Sequence, residues 1–399
     1  MRFKTSHSRR IRLGLSVVVI FILAACGGSS PENRVFTTSN ERFDLSEVAQ
    51  ALEEGFSGEV VKGVTVDFQG LAKEAEAAAF KGPFLTPEQE DKPGGAEDKL
   101  DGADELETLD LTVFSGKDGK QFRLEVDTEL IREMLTFDEE AGANLSTEEG
   151  GEDFEGAKGD FQSQHVGDNR SSRAPTTAWP WRTIGQLSNG CSGVLVGPST
   201  VATAAHCVVS SGNFSFPDFT PARDGGSSPY GAASVRTITV PTAFVTENCS
   251  RDNWTWSCIS NDVAIVLLDE DYSFNMGYWY MSWGGLKKKA IYNRGYGDCF
   301  SPDPPPSCAR NRLYGAPGAG SFTSISRKGS DGWNDIGHHD MFVNPGHSGS
   351  PTYMYVDGRA VVTGVQSSYH GNARGGTAKR FGPNDTGRIT FMRNLAASR

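Results

Sequence analysis

Three polar residues in the second half of the chain have the types and spacing needed for nucleophilic catalysis. His206 precedes a cysteine, Asp262 precedes an apolar run, and Ser348 lies in the glycine-rich run Gly346–Pro351. A serine hydroxyl is a weak nucleophile until an imidazole accepts its proton and a carboxylate holds that imidazole in the required tautomer. The order His, Asp, Ser, with separations of 56 and 86 residues, therefore predicts an acyl-transfer site.

Each residue has a simpler interpretation when it is taken alone. A Gly-x-Ser-Gly string is usually a turn, a histidine beside a cysteine is usually structural, and an aspartate before an apolar strand is usually a capping or surface carboxylate. It is the combination of all three in this order that favours catalysis.

The elements that must position these residues are predicted to be short strands. After Arg173 the chain has β-rich runs punctuated by Gly, Pro, Asn and Ser. The runs are Thr183–Leu187, Ser192–Val196, Thr200–Ala204, Ser234–Val240, Val263–Leu268, Lys289–Ile291 and Ala360–Val365. Many short, regularly spaced strands indicate an antiparallel barrel or sandwich, and only Ile389–Ala397 is predicted to be helical.

The 399 residues exceed the length of one such domain, and the charge is unevenly distributed. Residues 27–173 contain 14 basic and 35 acidic side chains, whereas residues 174–399 contain 19 and 15. This asymmetry predicts separately functioning segments. The acidic segment argues against nucleic-acid binding, because phosphates would repel it.

The segment 26–140 is predicted to be an acidic pro-region or stalk that contains a possible small α+β unit. Ser46–Phe56 is amphipathic and Leu71–Phe80 is rich in Ala and Glu, so both favour helices. The pattern from Leu109 to Leu135 indicates a strand, a turn, a second strand and a helix. Residues 141–173 are acidic and rich in Gly and Ser, which predicts a flexible linker.

The N-terminus is typical of a targeting signal over residues 1–25. Basic residues precede the apolar run Leu13–Ala25, which at 13 residues is too short to span a bilayer. The run ends Leu23-Ala24-Ala25-Cys26, which resembles a bacterial lipobox and predicts lipidation of Cys26. The alternative is an ordinary signal peptide followed by a chance cysteine.

The remaining six cysteines are an even number, which suits disulfides in an oxidising compartment. Six cysteines allow 15 pairings, so the sequence does not fix the connectivity. Nearest-neighbour spacing favours Cys191 with Cys207, Cys249 with Cys258, and Cys299 with Cys308.

Several motifs make the second half similar to the trypsin-like serine peptidases, and in particular to the bacterial glutamyl endopeptidase branch. They are Thr176–Arg182, Cys191–Gly193, Val201–Cys207, Pro229–Gly231, Gly295–Gly297, Ser348–Pro351 and Gly387–Thr390. The resemblance covers about residues 174–395. It implies an all-β, chymotrypsin-like catalytic domain over residues 174–399, with two six-stranded antiparallel β-barrels and the catalytic residues at their junction.

The resemblance also implies roles for individual residues. His206 is the general base and then the general acid, Asp262 orients it, and Ser348 attacks the carbonyl. The backbone N–H groups of Gly346 and Ser348 form the oxyanion hole, where one donor is worth about 100-fold to 1000-fold in rate.

The substrate-binding residues implied by the resemblance are Val343, Gln366 and Ser367, and no cofactor is required. Phe342 occupies the position of the carboxylate that binds Arg or Lys in trypsin, so cleavage after basic residues is not expected. Gln366 replaces the histidine with which glutamyl endopeptidases bind an acidic side chain. Because an amide supplies no charge, we expect a weakened acidic preference or a shift to neutral side chains.

His347 replaces the aspartate that precedes the nucleophile in pancreatic enzymes, so their activating ion pair with a new N-terminus cannot form. His338 and His339 are neighbours on a predicted strand and point to opposite faces, so they would not ligate one metal ion easily. No metal site is predicted.

Together these features predict an exported serine endopeptidase that acts on proteins or peptides, with a monomeric catalytic domain and a membrane anchor on Cys26. Processing near Arg170 and Arg173 would release the catalytic domain from the cell envelope into the extracellular space. The N-terminal half would then be a pro-segment that assists folding or blocks the site, and the alternative is a permanent stalk. Two other functions remain open, an inactive binding module and a surface-anchored interaction protein.

Overall fold

The computed structural model describes residues 43–72, 84–85, 108–116, 119–135, 175–250, 253–272, 280–281, 290–299, 311–315, 320–326, 336–356, 359–370 and 375–399. The predicted leader, Cys26, the linker at 141–173 and Cys308 lie outside these residues. Within the described ranges, no helix has both the length and the apolar composition needed to cross a bilayer.

The fold is mostly β, with twenty-one strands and five α-helices among the described residues. The helices are α1 (Ser46–Glu54), α2 (128–135), α3 (Thr242–Thr246), α4 (Trp256–Ser260) and α5 (Pro383–Ala397). The first strands are β1 (Gly58–Val61), β2 (Val64–Leu71), β3 (Phe84–Leu85), β4 (Leu109–Ser115), β5 (Lys120–Val126), β6 (Ile184–Leu187), β7 (Ser192–Gly197), β8 (Thr200–Thr203), β9 (Val209–Ser210) and β10 (Asn213–Phe214). They are followed by β11 (Phe219–Pro221), β12 (Val235–Pro241), β13 (Ala264–Leu268), β14 (Tyr280–Met281), β15 (Tyr292–Gly295), β16 (Tyr314–Gly315), β17 (Phe322–Ser326), β18 (Ile336–His339), β19 (Pro351–Val356), β20 (Arg359–His370) and β21 (Gly376–Arg380).

The described strands form two large sheets and one two-stranded sheet, β10-β9. The first has ten strands in the order β1-β2-β5-β4-β12-β13-β8-β7-β6-β11, and the second runs β16-β15-β19-β20-β21-β18-β17, with β14 and β3 also paired to β20. All residues of β8 and β13 are buried, because apolar clusters cover both faces of the first sheet at this point. These central strands therefore form a rigid support for the loops at their ends.

The described strands do not close into the two six-stranded barrels that the resemblance implies. In the first sheet, the segment before β12 reaches β11 only through an isolated bridge between Phe219 and Ala233. The adjoining edge of β12 instead pairs with β4 over five positions, from Thr237 opposite Ser115 to Pro241 opposite Leu111. Closure of this half is thus replaced by the addition of strands from the N-terminal part of the chain.

The N-terminal unit, residues 43–135, has the α+β elements that its pattern predicts. Helix α1 carries four buried apolar side chains, and the hairpin β4-β5 and helix α2 follow as expected. The predicted helix at Leu71–Phe80 is not found at its start, because Leu71 ends strand β2, and residues 73–80 lie outside the described ranges.

The N-terminal unit shares one hydrophobic core with the end of the chain. Ile131 of α2 and Ile389 and Leu395 of α5 belong to the same buried cluster. A Cβ atom on Gly387 would lie 2.5 Å from Cγ2 of Ile131, and the backbone N–H of Leu45 donates to Oγ of Ser398 at 2.9 Å. Residues 39–399 accordingly form one compact unit.

Candidate active site

His206 and Asp262 lie together at the ends of two paired central strands. The 3-10 turn Ala205–Cys207 directly follows β8, and Asp262 lies between α4 and β13. Strands β8 and β13 are paired with Ala264 opposite Thr203. The end of β8 and the start of β13 are therefore adjacent, and so are the residues next to them, His206 and Asp262. Nδ1 of His206 lies 2.8 Å from Oδ2 of Asp262, and both side chains are almost completely buried.

Asp262 accepts two further hydrogen bonds. Its Oδ1 accepts the backbone N–H of His206 at 2.9 Å, and its Oδ2 accepts the hydroxyl of Ser367 at 2.6 Å. With Asp262 as the acceptor in all three contacts, Nδ1 of His206 is the donor and carries the ring proton. The indole of Trp254 packs edge-on against the imidazole, with ring centroids 5.5 Å apart, and so limits its rotation.

Two of the disulfides favoured by the spacing are present. Cys191 is bonded to Cys207, next to His206, and Cys249 is bonded to Cys258 in helix α4. Cys299 is also disulfide-bonded. The first bridge ties the turn that carries His206 to the start of β7.

The loop that carries Ser348 lies against these same strands. The backbone N–H of Ser192 donates to the carbonyl oxygen of Ser348 at 2.8 Å. A Cβ atom on Gly349, whose φ is +79°, would lie 2.1 Å from Oγ1 of Thr203 and 2.9 Å from the backbone nitrogen of Ala204. The residue after Ser348 therefore touches the backbone two residues before His206. Only glycine fits there, both in conformation and in space.

Gly346 has the same kind of restriction on the other side of Ser348. Its φ is +94°, and a Cβ atom would lie 2.4 Å from the carbonyl oxygen of Tyr296. Among the described residues, no acceptor is found for the backbone N–H groups of Gly346 and Ser348. These are the two donors that the resemblance implies for the oxyanion hole.

Ser192 is a positioning residue that sequence reasoning missed. Its hydroxyl donates to the carbonyl oxygen of Gly346 at 2.7 Å and accepts the backbone N–H of Tyr296 at 2.8 Å. Burial raises the pKa of the Tyr296 hydroxyl well above its usual value, so the hydroxyl stays protonated and donates to the carbonyl oxygen of Arg223 at 3.0 Å. In the sequence, only the Cys-Ser-Gly motif pointed to the contact between Ser192 and Gly346.

Two of the predicted substrate-binding residues, Val343 and Gln366, both lie next to Gly376. Val343 is fully buried, and a Cβ atom on Gly376 would lie 2.8 Å from its Cγ2 and 2.7 Å from Nε2 of Gln366. Gln366 is 2% exposed, and its carboxamide is hydrogen-bonded within the protein. Its Nε2 donates to the carbonyl oxygens of Ser368 and Thr377 at 2.6 and 3.1 Å.

The third partner of Gln366 is His339, whose Nε2 lies 2.7 Å from Oε1 of the carboxamide. Because Nε2 of Gln366 is used as a donor, its Oε1 is the acceptor and His339 donates. The sequence did not reveal this pair, since His339 lies on β18 and Gln366 on β20, with β21 between them.

The histidine neighbours do not share a site. The ring of His338 packs near Trp256 with centroids 5.5 Å apart, whereas His339 bonds to Gln366. Two groups of potential ligands are compact enough for a metal ion among the described residues, and both contain disulfide-bonded cysteines. A sulfur in a disulfide is not a thiolate ligand, so the chemistry of these groups does not fit a metal ion.

Comparisons with known proteins find a family match over the part of the chain that contains His206 and Asp262 but not Ser348. Residues 168–299 match the family described as Trypsin. A glutamyl endopeptidase of Bacillus licheniformis is 37% identical over 91 residues, which are 21% of this chain and 29% of that protein. A protein of Bacillus subtilis named extracellular metalloprotease is 42% identical over 78 residues, which are 17% of this chain and 25% of that protein.

The chain thus spans less than a third of the length of these two relatives. A solved structure of a Glu endopeptidase in complex with MPD aligns with 57% of this chain and 97% of that one, at 18% identity and a TM-score of 0.46. The family match covers 132 of the 399 residues, and over that part the chain is similar to the trypsin family; a bacterial glutamyl endopeptidase is among its named relatives.

Proposed function

We propose that the chain is a serine endopeptidase in which Ser348 is the nucleophile and His206 is the base and then the acid. The observation that carries this proposal is the buried hydrogen bond between Nδ1 of His206 and Asp262. A proton fixed on Nδ1 leaves the lone pair of Nε2 available to accept the proton of a serine hydroxyl.

The reaction has two steps, acylation of Ser348 and hydrolysis of the acyl-enzyme. Oγ of Ser348 bonds to the carbonyl carbon while its proton moves to Nε2 of His206, and the carbonyl oxygen becomes an anion. The backbone N–H groups of Gly346 and Ser348 donate to that anion. The carbonyl double bond then re-forms as the peptide bond breaks, and the proton on Nε2 moves to the leaving amine. Water attacks the acyl-enzyme in the same way, His206 takes a proton from the water and returns it to Oγ of Ser348, and the product acid leaves.

The side-chain preference follows from the uncharged residues near the nucleophile. Phe342 offers no carboxylate to an Arg or Lys side chain. The curated relative from Bacillus licheniformis is named for cleavage after glutamate, but the amide of Gln366 carries no charge and its hydrogen bonds are internal. We therefore propose a weakened acidic preference or a preference for neutral side chains.

Export is supported by the disulfides and by the name of the Bacillus subtilis relative, which is extracellular. The leader at residues 1–25, lipidation of Cys26 and processing at Arg170 or Arg173 are proposals from the sequence alone. Mass spectrometry of the membrane and secreted fractions tests them together. A lipid on Cys26 supports the anchor, and a secreted chain beginning after Arg173 supports processing.

Labelling with a small fluorophosphonate probe tests the proposed activity. The purified wild-type chain should be labelled on Ser348, and Ser348→Ala and His206→Ala should lose the label. Ser228→Ala, which alters an exposed serine, is the matched control and should be labelled like the wild type. A folded wild-type chain that fails to react would overturn the proposal and favour an inactive binding module.

A further inference from the structure

Strand β20 extends past the end of β19, so that one of its edges is left without β19 beside the nucleophile loop, residues 344–350. At Val365 the strand has β19 on one side and β21 on the other, through Pro351 and Lys379. The backbone N–H of Gln366 donates to the carbonyl oxygen of Ser350 at 2.8 Å. Beyond Gln366, neither β19 nor the loop before it makes a backbone hydrogen bond to this edge among the described residues. From Ser367 onwards, the same edge can pair with an extended peptide.

This edge is occupied in the structure by another segment of the chain. Strand β3 pairs with β20, with Phe84 opposite Tyr369 and Leu85 opposite His370. Tyr369 pairs with Gly376 of β21 on its other side, so β3 lies on the edge that β19 leaves. The occupied positions begin two residues after Ser367, whose hydroxyl contacts Asp262.

We propose that Phe84–Leu85 in the intact chain occupies the Ser367–His370 edge, which the proposed peptidase uses to bind the backbone of its substrate, and thereby excludes extended substrates. The proposal rests on the proposed function, because it assigns a role to an edge beside Ser348. An extended peptide that adds to a sheet edge gains its affinity from main-chain hydrogen bonds, and two segments cannot use the same groups at once.

The direction of β3 explains why it blocks the edge without being positioned for cleavage. Strand β20 runs away from the nucleophile loop between Gln366 and His370. A substrate whose residues before the scissile bond lie on this edge must run towards Ser348, antiparallel to β20. Strand β3 is parallel to β20, so its chain runs in the opposite direction to such a substrate. Its peptide bonds are therefore not oriented for attack by Ser348.

The N-terminal unit holds β3 in place. Strand β2, which precedes β3, and strand β4, which follows it, both belong to the ten-stranded sheet, whereas β3 pairs with a strand of the other sheet. The five pairs between β4 and β12 and the core shared with α5 fix the unit to the peptidase part. A tethered segment has an effective concentration of roughly millimolar, against which a free peptide must compete for the edge.

Replacement of both residues by proline tests the occupancy. Successive N–H groups of a strand point to opposite sides, so Phe84→Pro with Leu85→Pro removes the donor that faces β20, whichever residue carries it. The double variant of the full chain should raise kcat/KM for an extended peptide on the order of tenfold or more. Labelling of Ser348 by a small fluorophosphonate should change less than twofold, because that probe does not use the edge.

The matched control is Phe84→Ala with Leu85→Ala, which keeps both N–H groups and should stay close to the wild type. An alanine pair as active as the proline pair would contradict blocking by main-chain pairing. If the proline pair is labelled normally but cleaves the peptide no faster than the wild type, the proposal is wrong while the proposed function stands. Absence of labelling in every chain would overturn both.

Hydrogen exchange of the wild-type chain tests the pairing without a variant. Of the amides of Phe84 and Leu85, the one that faces β20 should exchange at least tenfold more slowly than in an unfolded peptide. Exchange of both at the unfolded rate would show that the edge is open and would overturn the proposal.

Discussion

Ser367 and His206 donate to the same oxygen of Asp262, at 2.6 and 2.8 Å. The carboxylate is fully buried, so water does not replace either donor if one is removed. In the proposed mechanism, Ser367 therefore helps Asp262 to hold His206 in the tautomer with its proton on Nδ1. It acts on the reaction through Asp262 and is a positioning residue in this respect.

Ser367→Ala should lower kcat between about 10-fold and 100-fold, because a hydrogen bond to a charged group is worth about 1.5 to 3 kcal/mol. The KM should change less than kcat, since the hydroxyl contacts Asp262. The matched control is Thr363→Val, which removes a buried hydroxyl of the same strand whose partner is the carbonyl of Thr352. Equal losses of kcat in both variants would show that the effect is only structural.

Gly349 should tolerate no side chain because it packs closely against Thr203. Comparison with Gly212 separates this packing effect from the effect of a positive φ. Gly349 and Gly212 have similar φ values of +79° and +71°, but a Cβ atom on Gly349 would overlap Thr203, whereas one on Gly212 would meet nothing within 4 Å. We expect Gly212→Ala to cost about 1 to 2 kcal/mol of unfolding free energy, and Gly349→Ala to cost clearly more and to abolish labelling of Ser348. Urea denaturation measures both, and similar costs would contradict the close packing against Thr203.

The sequence singles out the three proposed catalytic residues because their signal is local. His206, Asp262 and Ser348 each lie in a short motif, and their order in the chain is sufficient to suggest one site. The contacts that position them are not local. The hydroxyl of Ser192 reaches Gly346 across 154 residues, and a buried serine has no distinguishing pattern in a sequence.

Residue patterns could not predict that the barrels stay open, because they indicate strands but not which strands pair. The alternation in β4 predicts a strand but does not identify its neighbour, because Leu111 and Val113 would be buried against any apolar surface. The pairing of β4 with β12 depends on which edge is open in the folded chain. The hydrogen bond between His339 and Gln366 likewise depends on the order of β18, β21 and β20.

The N-terminal unit should unfold together with the active site, because both belong to one compact unit with a shared core. Leu124→Ala, which truncates a fully buried side chain of β5, should cost about 2 to 5 kcal/mol and lower the temperature at which labelling of Ser348 is lost. The matched control is Leu71→Ala, at the end of β2, where the side chain is 72% exposed and the cost should stay below about 1 kcal/mol. Loss of the N-terminal structure in Leu124→Ala with labelling unchanged at the same temperature would show that the two parts fold independently.

Gln366 should shape the side-chain preference through the orientation that His339 gives it. Gln366→Met keeps the length of the side chain but removes the acceptor for His339 and both donors to main-chain carbonyls, so the imidazole and the wall around Gly376 can rearrange. We expect kcat/KM across peptides varied before the scissile bond to change in rank order, while the rate of fluorophosphonate labelling changes less. Gln186→Met, on β6 of the other sheet, is the matched buried control and should keep the wild-type rank order. A uniform decrease for all peptides in Gln366→Met would assign this residue a role in stability alone.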